Sequence, residues 1–146
     1  MDTPAPSGGS AGGAVLGGQV TAPSAVAKLV LETGVQVTAL FPGDGVNFPV
    51  VGNFIRVHYE VRLLQPDGSL SPHFDSSRAR GVPFDFQLGA GFAVPGLEEA
   101  LLRMSRGERA LVAVPPARAF GKLGAPPFVP PGATLVFDVD LIAVQV

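Results

Sequence analysis

The residue types that usually carry enzymatic chemistry are scarce in this chain and form no known catalytic pattern. Its two histidines, His58 and His73, fall in a predicted strand and a predicted loop, and neither a GxSxG serine nor an HExxH helix accompanies them. The absence of cysteine excludes thiol catalysis, disulfides and thiolate metal sites. Hydrolytic and metal-dependent reactions are therefore disfavoured, and the sequence indicates neither a metal site nor a cofactor.

One pair of carboxylates has the composition of a catalytic acid pair. Glu98 and Glu99 are adjacent, but they fall in the first turn of a predicted helix, where the helix dipole favours acidic side chains in any protein. We therefore interpret both glutamates, and both histidines, as structural or solvent-exposed residues.

The placement of the aromatic residues is the unusual feature of this sequence. Ten phenylalanines and the single tyrosine all follow residue 40, and several stand next to turns, where a core alone would not require them. This placement favours an apolar pocket, whereas phenylalanines that simply fill the core are the alternative. Composition alone leaves both interpretations open.

The elements that position these residues are predicted to be mostly strands. Segments of alternating or clustered β-branched and aromatic residues are separated by turn signals such as Asp67-Gly68. One segment, 95–107, instead has Leu97, Leu101 and Met104 at helical spacing after Pro95. The predicted strands are 35–40, 54–63, 84–89, 109–114 and 133–144. The pattern predicts an α+β fold in which an antiparallel sheet of five to six strands, joined by hairpin-length turns, packs around one short helix.

The bulk properties fit one folded domain preceded by a tail. The 146 residues are 47% hydrophobic and 15% charged, which is sufficient for a single packed core. Residues 1–33 begin with a stretch rich in Gly, Ala, Pro and Ser and are predicted to be a flexible tail. Within it, 25–32 fits a short strand or a helical turn, and we interpret it as a boundary strand. The folded domain is predicted to occupy 34–146.

Charge and hydropathy narrow the range of partners. The net charge is −2 and no run of Lys or Arg is present, so we expect neither nucleic acid nor lipid headgroups as partners. The apolar stretches are far shorter than the roughly 20 residues of a membrane helix, and no signal or transit peptide is visible. We expect a cytoplasmic monomer.

Six motifs, in order along residues 34–146, resemble those of one family. They are PGDG, VHY, FDSSRARGVPFDFQLG, VPGLEEALLRMSRGERA, AFG and VPPGATLVFDVDL. Together they resemble the FKBP-type peptidyl-prolyl cis/trans isomerases, the FK506-binding protein family. The resemblance implies the same fold as the strand and helix patterns, and it implies isomerisation of X-Pro bonds in proline-containing peptides and folding proteins, without a cofactor.

The resemblance also implies a site. Tyr59, Asp75 and Phe137 match the family's catalytic positions, Arg80 matches the cationic partner of Asp75, and the backbone N–H of Val94 matches the one that meets a ligand carbonyl. The residues implied to line an apolar pocket are Tyr59, Phe74, Phe84, Val94, Leu97, Phe120, Val129 and Phe137. A purely structural ion pair is the alternative for Asp75 and Arg80.

Four positions depart from the family's common pattern. Leu97 stands where the best-studied members have a tryptophan floor, Phe120 replaces a tyrosine whose hydroxyl bonds the ligand, and Phe92 and Ala125 replace polar rim residues. The family's macrolide ligands, tacrolimus and rapamycin, are therefore expected to bind more weakly. The alternative function is a non-catalytic module of the same fold that binds proteins or peptides, as a chaperone does.

Overall fold

The computed structural model describes residues 34–145, which form a six-stranded sheet with a two-turn helix packed on one face. None of the helices in this described part is long and apolar enough to cross a membrane. The predicted tail at 1–33, including the boundary strand at 25–32, lies outside the described residues. The elements are β1 (Gln36–Phe41), β2 (Phe54–Leu64), β3 (Asp75–Ser76), α1 (Ser77–Arg80), β4 (Phe84–Gln87), α2 (Pro95–Leu101), β5 (Arg109–Val114), a 3-10 turn (Pro116–Arg118) and β6 (Thr134–Gln145).

The sheet is antiparallel throughout, with β2 and β6 at its centre. The strand order is β1-β5-β6-β2-β3, and β4 pairs with the first part of β2. The predicted α+β class, antiparallel sheet and short helix are confirmed. The first two strands do not pair with each other, because β1 pairs with β5, as in Gln36 opposite Ala113. Turn residues show where a chain reverses, but they do not select the strand that lies alongside.

Helix α2 is shorter than the predicted segment 95–107. It ends at Leu101, and the next turn tightens, because Arg103 N bonds Ala100 O at 2.9 Å and Met104 N bonds Leu101 O at 3.2 Å. These are i to i−3 bonds, the geometry of a 3-10 turn rather than an α-helix. Met104 is nevertheless fully buried, so the apolar spacing identified the buried face correctly and overestimated only its helical length.

The core lies between α2 and the inner faces of β2, β5 and β6. Period-two alternation places Val57, Val112 and Val139 on that face, and all three are fully buried. Helix α2 approaches the sheet closely at Gly96, where an added Cβ would lie 2.3 Å from Cγ1 of Val114. This contact fixes the start of α2 against the sheet.

The outer edge of β2 is divided between two short strands. Strand β4 pairs with residues 54–57 of β2, and β3 pairs with Glu60 and Val61. Helix α1, a four-residue helix that the sequence patterns do not predict, follows β3 and leads towards β4. The edge is therefore interrupted beside Tyr59, where no strand partner is available.

Candidate active site

A concavity of about 180 Å³ opens between the start of α2 and the inner face of β2 and β6. Its walls are mostly aromatic and aliphatic side chains, contributed by β2, β3, β4 and β6, by α2 and by three loops. The lining residues are Tyr59, Val61, Phe74, Asp75, Phe84, Phe92, Ala93, Val94, Leu97, Phe120, Leu135 and Phe137. Among the described residues, no group of three or more His, Asp or Glu side chains is placed to hold a metal ion.

Tyr59 is held at the interrupted edge of β2 by a serine. The backbone N–H of Tyr59 donates to Oγ of Ser77 at 2.7 Å, so a hydroxyl at the start of α1 replaces the missing strand partner. Ser77 is fully buried, and its Oγ also lies 2.9 Å from Nδ1 of His58. His58 therefore belongs to the structural support of this edge, in agreement with the structural interpretation of the histidines.

A polar cluster closes one side of the concavity. The Tyr59 hydroxyl donates to Oδ2 of Asp75 at 2.6 Å and accepts from Nη2 of Arg80 at 3.1 Å. Arg80 also forms a salt bridge with Oδ1 of Asp75, and its guanidinium lies 5.8 Å from the centre of the Tyr59 ring. Asp75 and Arg80 sit at the two ends of the β3–α1 segment, so this short segment sets their separation.

Burial and the hydrogen bonds of this cluster set the protonation states of Tyr59 and Asp75, the two cluster residues that line the concavity. Burial raises the pKa of Tyr59 above its ordinary value, and the hydrogen bond to Asp75 raises it further. Burial also opposes ionisation of Asp75, but the hydrogen bonds from Tyr59 and Arg80 outweigh burial and lower the pKa of Asp75. Near neutral pH the site therefore presents a neutral phenol beside an ionised carboxylate.

Edge-on aromatic contacts build the wall around Tyr59. Its ring centre lies 6.0 Å from Phe84 and 6.5 Å from Phe137, with interplanar angles of 68° and 60°. Phe84 in turn stacks on Phe86 at 4.6 Å. Such T-shaped and offset pairs are favourable arrangements of ring quadrupoles, so they hold the rings in fixed orientations.

The start of α2 forms the floor of the concavity. Pro95 occupies the first turn, which places Leu97 in the lining with only 3% of its surface exposed. Val94 is the N-cap residue, and its carbonyl accepts from the N–H of Leu97 at 3.0 Å. The N–H of Val94 itself donates to no acceptor within residues 34–145.

The adjacent glutamates of α2 have structural partners. Glu98 accepts from the backbone N–H of Gly89 at 3.0 Å, and Glu99 accepts from Arg118 at 2.7 Å. Neither residue lines the concavity. This placement agrees with their interpretation as structural residues.

The structure brings nearly all of the sequence-predicted site residues together. Asp75 and seven of the eight residues implied to line the pocket are in the lining, and Arg80 contacts the lining through Asp75 and Tyr59. Val129 lies outside the lining and is buried in the core beneath its loop. The roles of these residues in substrate binding stay predictions.

Sequence reasoning missed Val61, Ala93 and Leu135. Val61 lies two residues beyond Tyr59 in β2, and Leu135 lies two residues before Phe137 in β6. Strand alternation puts residues two apart on the same face, so this period could have identified both once the neighbouring site residues were known. Ala93 lies in a loop that carries no such signal.

The sequence model described as FKBP-type peptidyl-prolyl cis-trans isomerase matches residues 45–142, which include the concavity. The chain belongs to this family. The fold, the family and the enzyme class expected from the sequence motifs are thereby confirmed, and the chain is a peptidyl-prolyl cis/trans isomerase of the FKBP type.

Individual FKBP relatives match over most of their length. The chain is 43% identical over 112 residues to FK506-binding protein 1A of Emericella nidulans, covering 77% of this chain and 99% of the relative. It is 42% identical over 112 residues to the peptidyl-prolyl cis-trans isomerase Fkbp12 of Drosophila melanogaster, with the same coverage. Among solved structures, the N-terminal domain of FKBP42 from Arabidopsis thaliana superimposes with a TM-score of 0.70 at 28% identity, covering 80% of this chain and 91% of that one.

Proposed function

We propose that this FKBP domain accelerates X-Pro isomerisation in proline-containing peptides and folding proteins by binding the twisted amide in the 180 Å³ concavity. Amide resonance gives the planar bond a rotation barrier of about 18–20 kcal/mol. The twisted amide has lost that resonance and much of its polarity, so an apolar, aromatic wall favours it over the planar form. Preferential binding of this geometry lowers the barrier without a covalent step.

The protonation states of the lining support this non-covalent mechanism. The raised pKa of Tyr59 and the lowered pKa of Asp75 both lie away from neutrality, so neither group is suited to exchanging a proton with substrate. Tyr59 and Arg80 instead hold the Asp75 carboxylate at the edge of the concavity. There it acts as a fixed negative charge beside the substrate backbone.

The floor contributes the second polar contact. The N–H of Val94 has no acceptor in the described part of the chain, and Val94 lines the concavity. In the proposed complex, this N–H donates a hydrogen bond to the carbonyl oxygen of the residue before or after the proline. Phe137 and Leu97 then pack against the proline ring, which is the apolar part of the substrate.

The observation that carries the proposal is the aromatic concavity with the fixed Tyr59–Asp75 pair at its edge. A protease-free assay of cis-to-trans exchange, on a short peptide with leucine before proline, tests it. Micromolar protein should accelerate exchange above the uncatalysed rate. Equal rates with and without protein would contradict it, and peptide binding without acceleration would identify the domain as a non-catalytic peptide-binding or chaperone module.

We propose further that the domain binds tacrolimus and rapamycin in weakened form. Leu97 is aliphatic and gives the floor less flat area than a tryptophan ring would, and Phe120 lines the concavity without a hydroxyl. One missing hydrogen bond is worth about 0.5–1.5 kcal/mol, and the lost ring contact is of similar size, so affinity should fall about ten- to a hundredfold. Calorimetric titration should show that Leu97→Trp combined with Phe120→Tyr tightens binding. Nanomolar binding by the natural sequence, or no gain in the double variant, would contradict this reasoning.

A further inference from the structure

The two edges of the sheet formed by residues 34–145 are protected unequally. At one edge, β3 has two residues and β4 has four, and an ion pair between Arg56 and Asp85 stands beside them. Short strands and charged side chains hinder the pairing of a further strand at an edge. At the other edge, β1 has β5 on one side, and over residues 37–41 no described strand lies on its other side. The edge at β1 is therefore the one open to a further strand.

Strand β1 lacks the residues that discourage such pairing. Its sequence, QVTALF, contains neither a charged residue nor a proline, and Leu40 and Phe41 are 40% and 65% exposed. The register irregularity between Ala39 and Phe41 interrupts only the end of the strand. An uncharged, apolar edge strand is a site at which a sheet is extended by backbone hydrogen bonds. We therefore expect a further strand alongside β1.

The backbone directly before β1 has the conformation of a hairpin loop. Gly34 has a φ of +85°, and a Cβ added there would meet no described atom within 4 Å. The position therefore favours glycine because of its backbone conformation and not because of close packing. Three-residue hairpin loops commonly end with a glycine at positive φ, and residues 32–34 have the sequence ETG.

We propose that residues 25–31 bind the open edge of β1 as an antiparallel strand, joined to it by a hairpin loop at 32–34. These residues are most of the segment interpreted above as a boundary strand. A three-residue loop places Leu29 opposite Val37 and Val26 opposite Leu40. Residues directly opposite each other share a face of the sheet, and Val37 packs against the core. Leu29 then extends the core past the present edge.

The composition of the tail and its point of attachment select this occupant. Residues 25–31, AVAKLVL, are apolar apart from Lys28, whereas residues 1–24 consist mostly of Gly, Ala, Pro and Ser. A short connection gives the attached segment an effective concentration of about millimolar at the edge. A second copy of the chain, pairing through its own β1, would need a comparable concentration in solution. The segment of the same chain therefore occupies the edge first.

Amide hydrogen exchange of the full-length protein tests this pairing. The variants Leu29→Pro and Val30→Pro each remove one backbone N–H from the proposed strand. Successive N–H groups of a strand point to opposite sides, so one of these two faces β1. Leu16→Pro and Val20→Pro are the matched controls, because they make the same two replacements in the tail outside the proposed strand.

We expect the amides of residues 25–31 to exchange about tenfold or more slowly than those of an unstructured peptide. At least one of Leu29→Pro and Val30→Pro should abolish this protection and lower the melting temperature by about 4 °C or more. Both controls should behave as the natural protein does. Unprotected amides at 25–31 in the natural protein would overturn the proposal, and so would protection that survives both proline variants.

Sedimentation over a range of protein concentrations distinguishes the competing occupant. A monomer with protected residues 25–31 supports the proposal. A dimer whose formation protects β1, while residues 25–31 exchange freely, would overturn it in favour of edge-to-edge pairing between two copies. Neither measurement involves substrate, so the result is independent of the proposed function.

Discussion

Truncation of Phe137 to alanine should lower both the stability of the fold and the activity of the site, and the two losses can be measured separately. Phe137 is 6% exposed in β6, lines the concavity and contacts the Tyr59 ring edge-on at 6.5 Å. Replacing a buried phenylalanine by alanine costs about 3–5 kcal/mol. We expect a value near the lower end, about 3 kcal/mol, because the space left behind joins an open concavity that water can fill.

The loss of stability translates into a measurable shift. For a domain of this size, 1 kcal/mol lowers the melting temperature by about 4 °C, so Phe137→Ala should melt about 12 °C below the natural protein. Domains typically have about 5–15 kcal/mol of stability, so the variant remains folded at 25 °C. Activity can therefore be measured on the folded variant.

Val139→Ala is the matched control for the site. Val139 is fully buried on the same face of β6, two residues away, but it does not line the concavity. Its truncation should cost about 2–3 kcal/mol. Phe137→Ala additionally loses aromatic contact with the twisted amide, which should raise the activation free energy by about 1.4 kcal/mol and lower the rate about tenfold.

The assay is kcat/KM for a proline peptide at 15–25 °C, with unfolding followed by urea titration. Phe137→Ala should lose about tenfold or more in kcat/KM, whereas Val139→Ala should stay within about twofold of the natural protein. Equal kcat/KM losses in the two variants would refute the assignment, because Phe137 would then affect activity only through stability.

Three further predictions concern the supports of the site. Ser77→Ala and Ser71→Ala each remove a hydroxyl that accepts a hydrogen bond from a backbone N–H of β2, at 2.7 and 2.9 Å. Urea titration should show that each variant loses about 1–3 kcal/mol of unfolding free energy. Only Ser77→Ala should lower kcat/KM, because Ser77 holds Tyr59 and Ser71 does not. Because the pKa of Asp75 is lowered in the folded state, its interactions stabilise the fold above its ordinary value of 3.8 and are lost as pH falls below it. The difference in unfolding free energy between the natural protein and Asp75→Asn should therefore shrink from about pH 6 to about pH 3, and a constant difference would contradict the lowered pKa. Gly96→Ala should lower the free energy of unfolding by about 1–3 kcal/mol, because the added Cβ clashes with Val114. Since Val114→Ala removes the clashing methyl groups, the double variant should lose less stability than the sum of the two single losses.

The strands and the fold class could be predicted from the sequence because they depend on local periodicity. The predicted strand 109–114 coincides with β5, and 54–63 differs from β2 by one residue. Helix α2 was predicted with the correct start, since Pro95 marks a helix beginning independently of tertiary contacts. The end of α2 was not predicted correctly, because the tight turn after Leu101 is set by packing of Met104 into the core.

The identity of most site residues was also available from the sequence, through ordered motifs rather than through residue chemistry. Tyr59, Asp75 and Phe137 are 78 residues apart at most in the chain, and the motifs placed them in one site before any distance was known. The motifs do not encode which side of a loop faces the concavity. Val129 is therefore implied as lining by its position, yet it lies in the core.

The sequence by itself determined the strand periods, the helix start, the absence of thiol chemistry and the membership of a family whose motifs recur here in order. The tertiary structure decided the pairing of β1 with β5, the interrupted edge at Tyr59, and the stacking of Phe128 on Phe74. Each of these depends on contacts between residues distant in the chain, and such contacts form only when the sheet brings its strands together. Local propensity acts over a few residues, so it cannot specify them.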